Sequence, residues 1–202
     1  TLYGLLRELA STDRKVITVE DPVEYAMDGV NQIQVNATIG LTFGTTLRNI
    51  LRHDPDVILV GEIRDHETAE MAFQSALTGH MVLSTLHTND VPSSFVRLID
   101  MGVEPYLVNA GIVGISAQRL IRRLYRSDVD GGAGEASRIA SEIGYKGRVA
   151  VMEFAEMTAE LKRLMLQGAD EHRMREALLR SGFLPMRADA QRLVDEGVTD
   201  DA

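Results

Sequence analysis

Cysteine does not occur in the 202 residues. That excludes disulfides and any zinc site built on thiolates. No apolar run approaches the roughly 20 residues that a helix needs to span a bilayer, so no transmembrane helix is expected. Net positive charge is lacking too. At −9 the chain is poorly suited to non-specific binding of nucleic acid or anionic lipid as its main activity, although local basic patches stay open. A fourth absence concerns phosphate chemistry. No stretch reads G-x-x-x-x-G-K-[ST], so the backbone cradle and lysine that such a loop offers to β- and γ-phosphates are missing from these residues.

What is present is ordinary for a soluble globular chain, with 45% hydrophobic and 25% charged residues. The length suits one good-sized domain, alone or with a small appendage. TLYGLLRELAS spaces Leu2, Leu5, Leu6 and Leu9 as a helix does, and reads as a helix already under way. Val16 to Val19 form a short strand stopped by acids and Pro22, and NQIQVN alternates like a half-exposed strand. FGTTLRNILRHDP predicts a helix ending before Pro55, which places Arg48 and Arg52 on one face. DVILVG is a continuous apolar strand of the kind buried on both faces of a parallel sheet. HETAEMAFQSALTGH predicts a helix stopped at Gly79, and MVLSTLHTND a further strand. This strand–helix–strand order indicates an α/β fold with a mainly parallel sheet.

Asn89 and Asp90 are candidate N-caps for a helix around Pro92. EPYLVNAGIVGISAQRLIRRLY is expected to be a longer helical stretch broken at its glycines. SDVDGGAGEAS is expected as a loop or linker, GRVAVMEF as a short strand, and most of the remainder as helices, with an acidic tail, VTDDA, that frays. The expected division is therefore a core over residues 1–125 and a mainly helical subdomain over 126–202.

Ligands of open α/β sheets bind outside the carboxyl ends of the strands. Glu62 lies just past one such end, Glu20 and Asp21 past a second, and His87 past a third. Acids and a histidine delivered to one edge suit a phosphorylated ligand with its divalent cation. The plainer reading is that strand ends carry solvated acids, that His80 caps or packs, and that Arg48, Arg52 and Arg64 are surface charge.

Three segments together resemble a known family. ITVEDPVEY, LRNILRHDPDVILVGEIRDHETA and TGHMVLSTLHTND are similar, in order and spacing, to the Asp box, Walker B region and His box of the ATPases of type II secretion and type IV pilus assembly. LSTLHTND followed by RLIDMGVEPYLV resembles the secretion and pilus-extension members more than the retraction members. The resemblance implies a RecA-like P-loop NTPase core, ATP and magnesium as ligands, and a homohexamer. It also implies a cytoplasmic motor, peripheral at the inner membrane, acting on an inner-membrane platform protein and not on nucleic acid.

By the same resemblance Glu62 orients or activates the water that attacks the γ-phosphate. Glu20, Asp21 and Glu24 match the Asp box acids, with Glu20 and Asp21 implied to hold magnesium through water. His80 and His87 match the His box, implied to contact or sense the γ-phosphate. In the family the phosphate loop directly precedes a helix beginning like TLYGLL, so the chain is expected to start just after that loop and to be inactive alone. Some members carry a four-cysteine zinc insertion where this sequence reads YRSDVDGGAGEAS, so no zinc is expected. From another class, a non-catalytic remnant or interaction module on a RecA-like fold stays open, as does a nucleic-acid motor.

Overall fold

A computed structural model describes residues 1–10, 13–126, 139 and 142–200. The expected linker at 127–137 lies outside the described residues. The chain divides into two compact units, Thr1–His87 with Ser94–Ile112, and Thr88–Ser93 with Val113–Ala202.

The first unit is built on a parallel sheet of four strands: β1 (Val16–Glu20), β2 (Val30–Gln34), β3 (Val57–Val60) and β4 (Met81–Ser84), in the order β2-β1-β3-β4. The central strands β1 and β3 are buried at every residue. That is why VILV is an unbroken apolar run and VITV is interrupted only by Thr18, itself buried. Val19, Val60 and Ser84 stand side by side in the register, so the segments after β1, β3 and β4 leave from one edge. Helix α1 (Leu2–Leu9) lays Leu6, with Leu2 and Leu9 beside it, against Val16, Val57 and Leu59.

Helix α2 (Phe43–Ile50) opens on a reciprocal cap between Thr42 and Thr45. It tightens into a 3-10 turn at Leu51–His53, and Asp54 then turns left-handed at φ 50° ahead of Pro55. Arg52 therefore lies in the turn and not on α2, while Arg48 pairs with Glu67 at 3.2 Å. Helix α3 (His66–Leu77) is capped by Asp65, which accepts the Thr68 N–H at 2.8 Å, and the chain reverses after it at Gly79 with φ 104°. Helices α4 (Val91–Asp100) and α5 (Pro105–Gly111) follow. Asp90 accepts the Ser93 N–H at 3.0 Å at the start of α4.

Beyond α5 the structure corrects the sequence reading. The expected helical stretch through Tyr125 stops at Gly111, and β5 (Gly114–Leu124) pairs antiparallel with β6 (Tyr145–Glu156). The period-2 signal was masked, because both faces mix an apolar residue with Arg: Leu120 and Arg122 on one, Ile121 and Arg119 on the other. The division between units accordingly falls after residue 112, ahead of the expected 125. The C-terminal part is a strand pair with helices α6 (Ala159–Leu166), α7 (Glu171–Arg180) and α8 (Met186–Asp195). Its acidic tail does not fray up to residue 200. Thr199 donates its hydroxyl to the Arg122 carbonyl at 2.8 Å, and Tyr145 donates to Asp200 at 2.6 Å.

One buried acid organises this second unit. Glu153 on β6 accepts the Val91 N–H at 2.6 Å on one oxygen and the Met186 N–H at 2.8 Å on the other. Those are the first residues of α4 and α8, so a single carboxylate serves two helix starts whose N–H groups have no partner within their own helix.

Candidate functional site

Where β3 ends, Gly61 donates its N–H to the Val19 carbonyl at 2.7 Å and accepts the Thr85 hydroxyl at 2.8 Å. A Cβ on Gly61 would stand 3.2 Å from the Val19 oxygen and 3.4 Å from the Glu20 Cα. The missing side chain therefore lets the strand pass close to β1 before Glu62 is presented. Ile63 N–H returns to the Thr85 carbonyl at 3.0 Å, which ties the segments after β3 and β4 together.

The Glu62 side chain is only 13% exposed. One oxygen accepts from His87 Nε2 at 2.9 Å, and the other is ion-paired with Arg64. Burial pushes the Glu62 carboxyl up. The bonds from Arg64 and His87 outweigh it and hold the group below its ordinary range. Glu62 is thus a fixed carboxylate at neutral pH. His87, with its side chain 81% exposed, reaches over it from the solvent side.

The other residues singled out from sequence do not all join this pair. His80 lies at the opposite edge, just ahead of Met81, where Nδ1 meets the Ser75 carbonyl at 2.9 Å and the Thr78 hydroxyl at 3.1 Å. The length of β4, about 13 Å at ~3.3 Å per residue, separates that edge from Glu62. Glu20 is at the right edge but turned inward. It is 3% exposed and accepts from Tyr3, from Thr18 and, at 3.2 Å, from Gln32 Nε2. Asp21 and Glu24 are exposed on the loop that follows β1.

No group of three or more His, Asp or Glu side chains among the described residues is placed to hold a metal ion by itself. Magnesium does not need one, since it keeps several waters and binds one or two carboxylates together with substrate phosphates. By exposure, Asp21 and Glu24 fit that role, whereas Glu20 is buried and already accepts three hydrogen bonds inside the protein. Two participants were missed in the sequence. Arg64 is two residues from Glu62, a spacing that puts both on one side of an extended segment. Tyr3 gave no local signal, because its partners lie on β1 and beyond.

A family model described as Type II/IV secretion system protein matches residues 1–201. The chain belongs to this family. Among curated relatives, the type II secretion system protein HxcR of Pseudomonas aeruginosa is 48% identical across 98% of the chain and 43% of the relative. The type IV pilus assembly ATPase TfpB of Acinetobacter baylyi is 42% identical across 98% of the chain and 38% of the relative. The chain thus spans less than half the length of either. Among solved structures, the pilus retraction motor PilT with bound ADP aligns over 100% of this chain and 55% of its own, at 28% identity and a TM-score of 0.78. The Legionella pneumophila ATPase DotB aligns over 99% of this chain and 53% of its own, at 28% identity and a TM-score of 0.76. The secretion-family fold is therefore the RecA-like α/β core that the resemblance implied, on the parallel sheet that the strand order indicated, and here its carboxyl edge carries Glu62 and His87.

Proposed function

We propose that this chain forms part of an ATP-hydrolysing motor of type II secretion or type IV pilus assembly, and contributes the water-orienting side of its nucleotide site. The observation that carries this reading is the Glu62 carboxylate, kept ionised at the sheet's carboxyl edge between Arg64 and His87. An ionised carboxylate so placed can accept a hydrogen bond from a water and aim its lone pair at a γ-phosphate. His87, mostly exposed beside it, would meet the phosphate oxygens. Magnesium, when bound, would neutralise phosphate charge, with Asp21 and Glu24 as outer acids reaching it through water.

The motor reading extends to a homohexamer at the cytoplasmic face of the inner membrane, acting on a platform protein. The described residues contain no helix long and apolar enough to cross a membrane. The phosphate-holding loop is not among these residues, so the test joins the part of HxcR that precedes the matched region to Thr1. The 202-residue chain alone serves as the blank and should show no significant ATPase activity. Glu62→Gln in the joined protein should lower kcat by about 100-fold or more, with nucleotide affinity within about twofold. Unchanged kcat overturns the role given to Glu62. A joined protein that binds no ATP supports a second reading, a non-catalytic interaction module.

A further inference from the structure

The loop carrying Asp21 and Glu24 is fastened from beneath by side chains distant in sequence. Tyr3 on α1 donates its phenol hydrogen to one Glu20 oxygen, and its own oxygen accepts the Glu24 N–H at 3.2 Å. Gln32 on β2 stands between them. Its Nε2 lies 3.2 Å from the other Glu20 oxygen, 3.1 Å from the Tyr25 carbonyl and 3.4 Å from the Tyr3 oxygen, while its Oε1 accepts the Met27 N–H at 2.7 Å. The Tyr3 ring also lies against that of Tyr25, with centroids 4.5 Å apart. The phenol thus donates to Glu20 and accepts from Glu24, with Gln32 Nε2 close to its oxygen.

We propose that Tyr3 is a positioning residue of the nucleotide site, acting through the loop it tethers, and that Glu20 is this loop's buried anchor and not a magnesium ligand. Leu6, one turn further on α1, is fully buried against β1 and β3, so the helix is fixed to the sheet and Tyr3 hangs from a rigid element. To turn Glu20 outward would strip a carboxylate of its donors and leave Gln32 and Tyr3 unsatisfied in a half-buried place. Burial, and then the bond to Glu20, raise the Tyr3 phenol above its ordinary pKa, so it stays a donor at neutral pH. A shift of the start of α1 would be transmitted through this phenol to Asp21 and Glu24. What the loop serves rests on the function proposed above; the tether does not.

Tyr3→Phe keeps the ring and deletes the hydroxyl. In the 202-residue chain, the Glu24 and Met27 amides should exchange hydrogen about tenfold faster. The amides of β1 and β3 should keep their protection. Gln32→Ala should loosen the same amides. Unchanged exchange at 24 and 27, or an equal loss along β1 and β3, overturns the tether whatever nucleotide assays give. In the joined protein, Tyr3→Phe should raise the magnesium concentration for half-maximal turnover about tenfold, with kcat in excess magnesium within about twofold. An unchanged magnesium requirement overturns the positioning role. Absence of turnover with Tyr3 intact instead overturns the function reading, and the exchange result then decides the tether alone.

Discussion

The Glu62 carboxylate has two donors and little solvent, and the donors prevail over burial. A carboxyl whose folded pKa is depressed contributes stability that is present above its unfolded value. That contribution is lost as pH falls through the folded value. The carbon-13 titration of Glu62 should therefore fall below the ordinary 4.5. Arg64→Ala should move it upward by removing one of the opposing donors, and should narrow the acid-side difference in stability. A midpoint at or above the ordinary value in the unsubstituted chain would contradict the balance described. Glu62 and His87 were legible in the sequence because each follows the end of a short strand, β3 buried at every residue and β4 half-buried. The inward turn of Glu20 was not, since it depends on Tyr3 and Gln32, which only folding brings near.

Among elements, β3 could be read directly through its unbroken apolar run, β2 through its alternation and helix α3 through its pattern and its stop at Gly79. The failure at β5 has a local cause. Gly111 and Gly114, taken as breaks within helical sequence, are close-approach positions. A Cβ on Gly111 would come within 2.6 Å of Phe73, and one on Gly114 within 2.8 Å of Phe154. Two effects compete in Gly111→Ala. Alanine favours the helix by about 1 kcal/mol, while overpacking against a buried ring costs about 1–3 kcal/mol. The clash should win, lowering stability by about 1 kcal/mol in urea unfolding. Phe73→Leu in the same background should restore part of it. A more stable Gly111→Ala would show that the ring moves freely.

For the molecule as a whole, the parallel-sheet unit was foreseeable, as were the strand β6 and the helices after it, whereas β5 and the contact that organises the second unit were not. That contact joins Glu153 to Val91 and Met186, residues distant from it in sequence. Such pairing leaves no periodic trace. Glu153→Ala should destabilise the chain by about 2–4 kcal/mol, the sum of two helix-start bonds to a buried charge. Equilibrium unfolding measures it. A loss under about 1 kcal/mol would mean that water replaces the carboxylate at both starts.

His80 and His87 occupy opposite rims of one four-residue strand. Their imidazole resonances are therefore a matched pair of reporters. A signal that shifts at His87 while His80 holds still marks an event at the Glu62 rim, and a concerted shift marks a change in the whole sheet. The protein carries its own internal standard for telling local occupancy from global rearrangement.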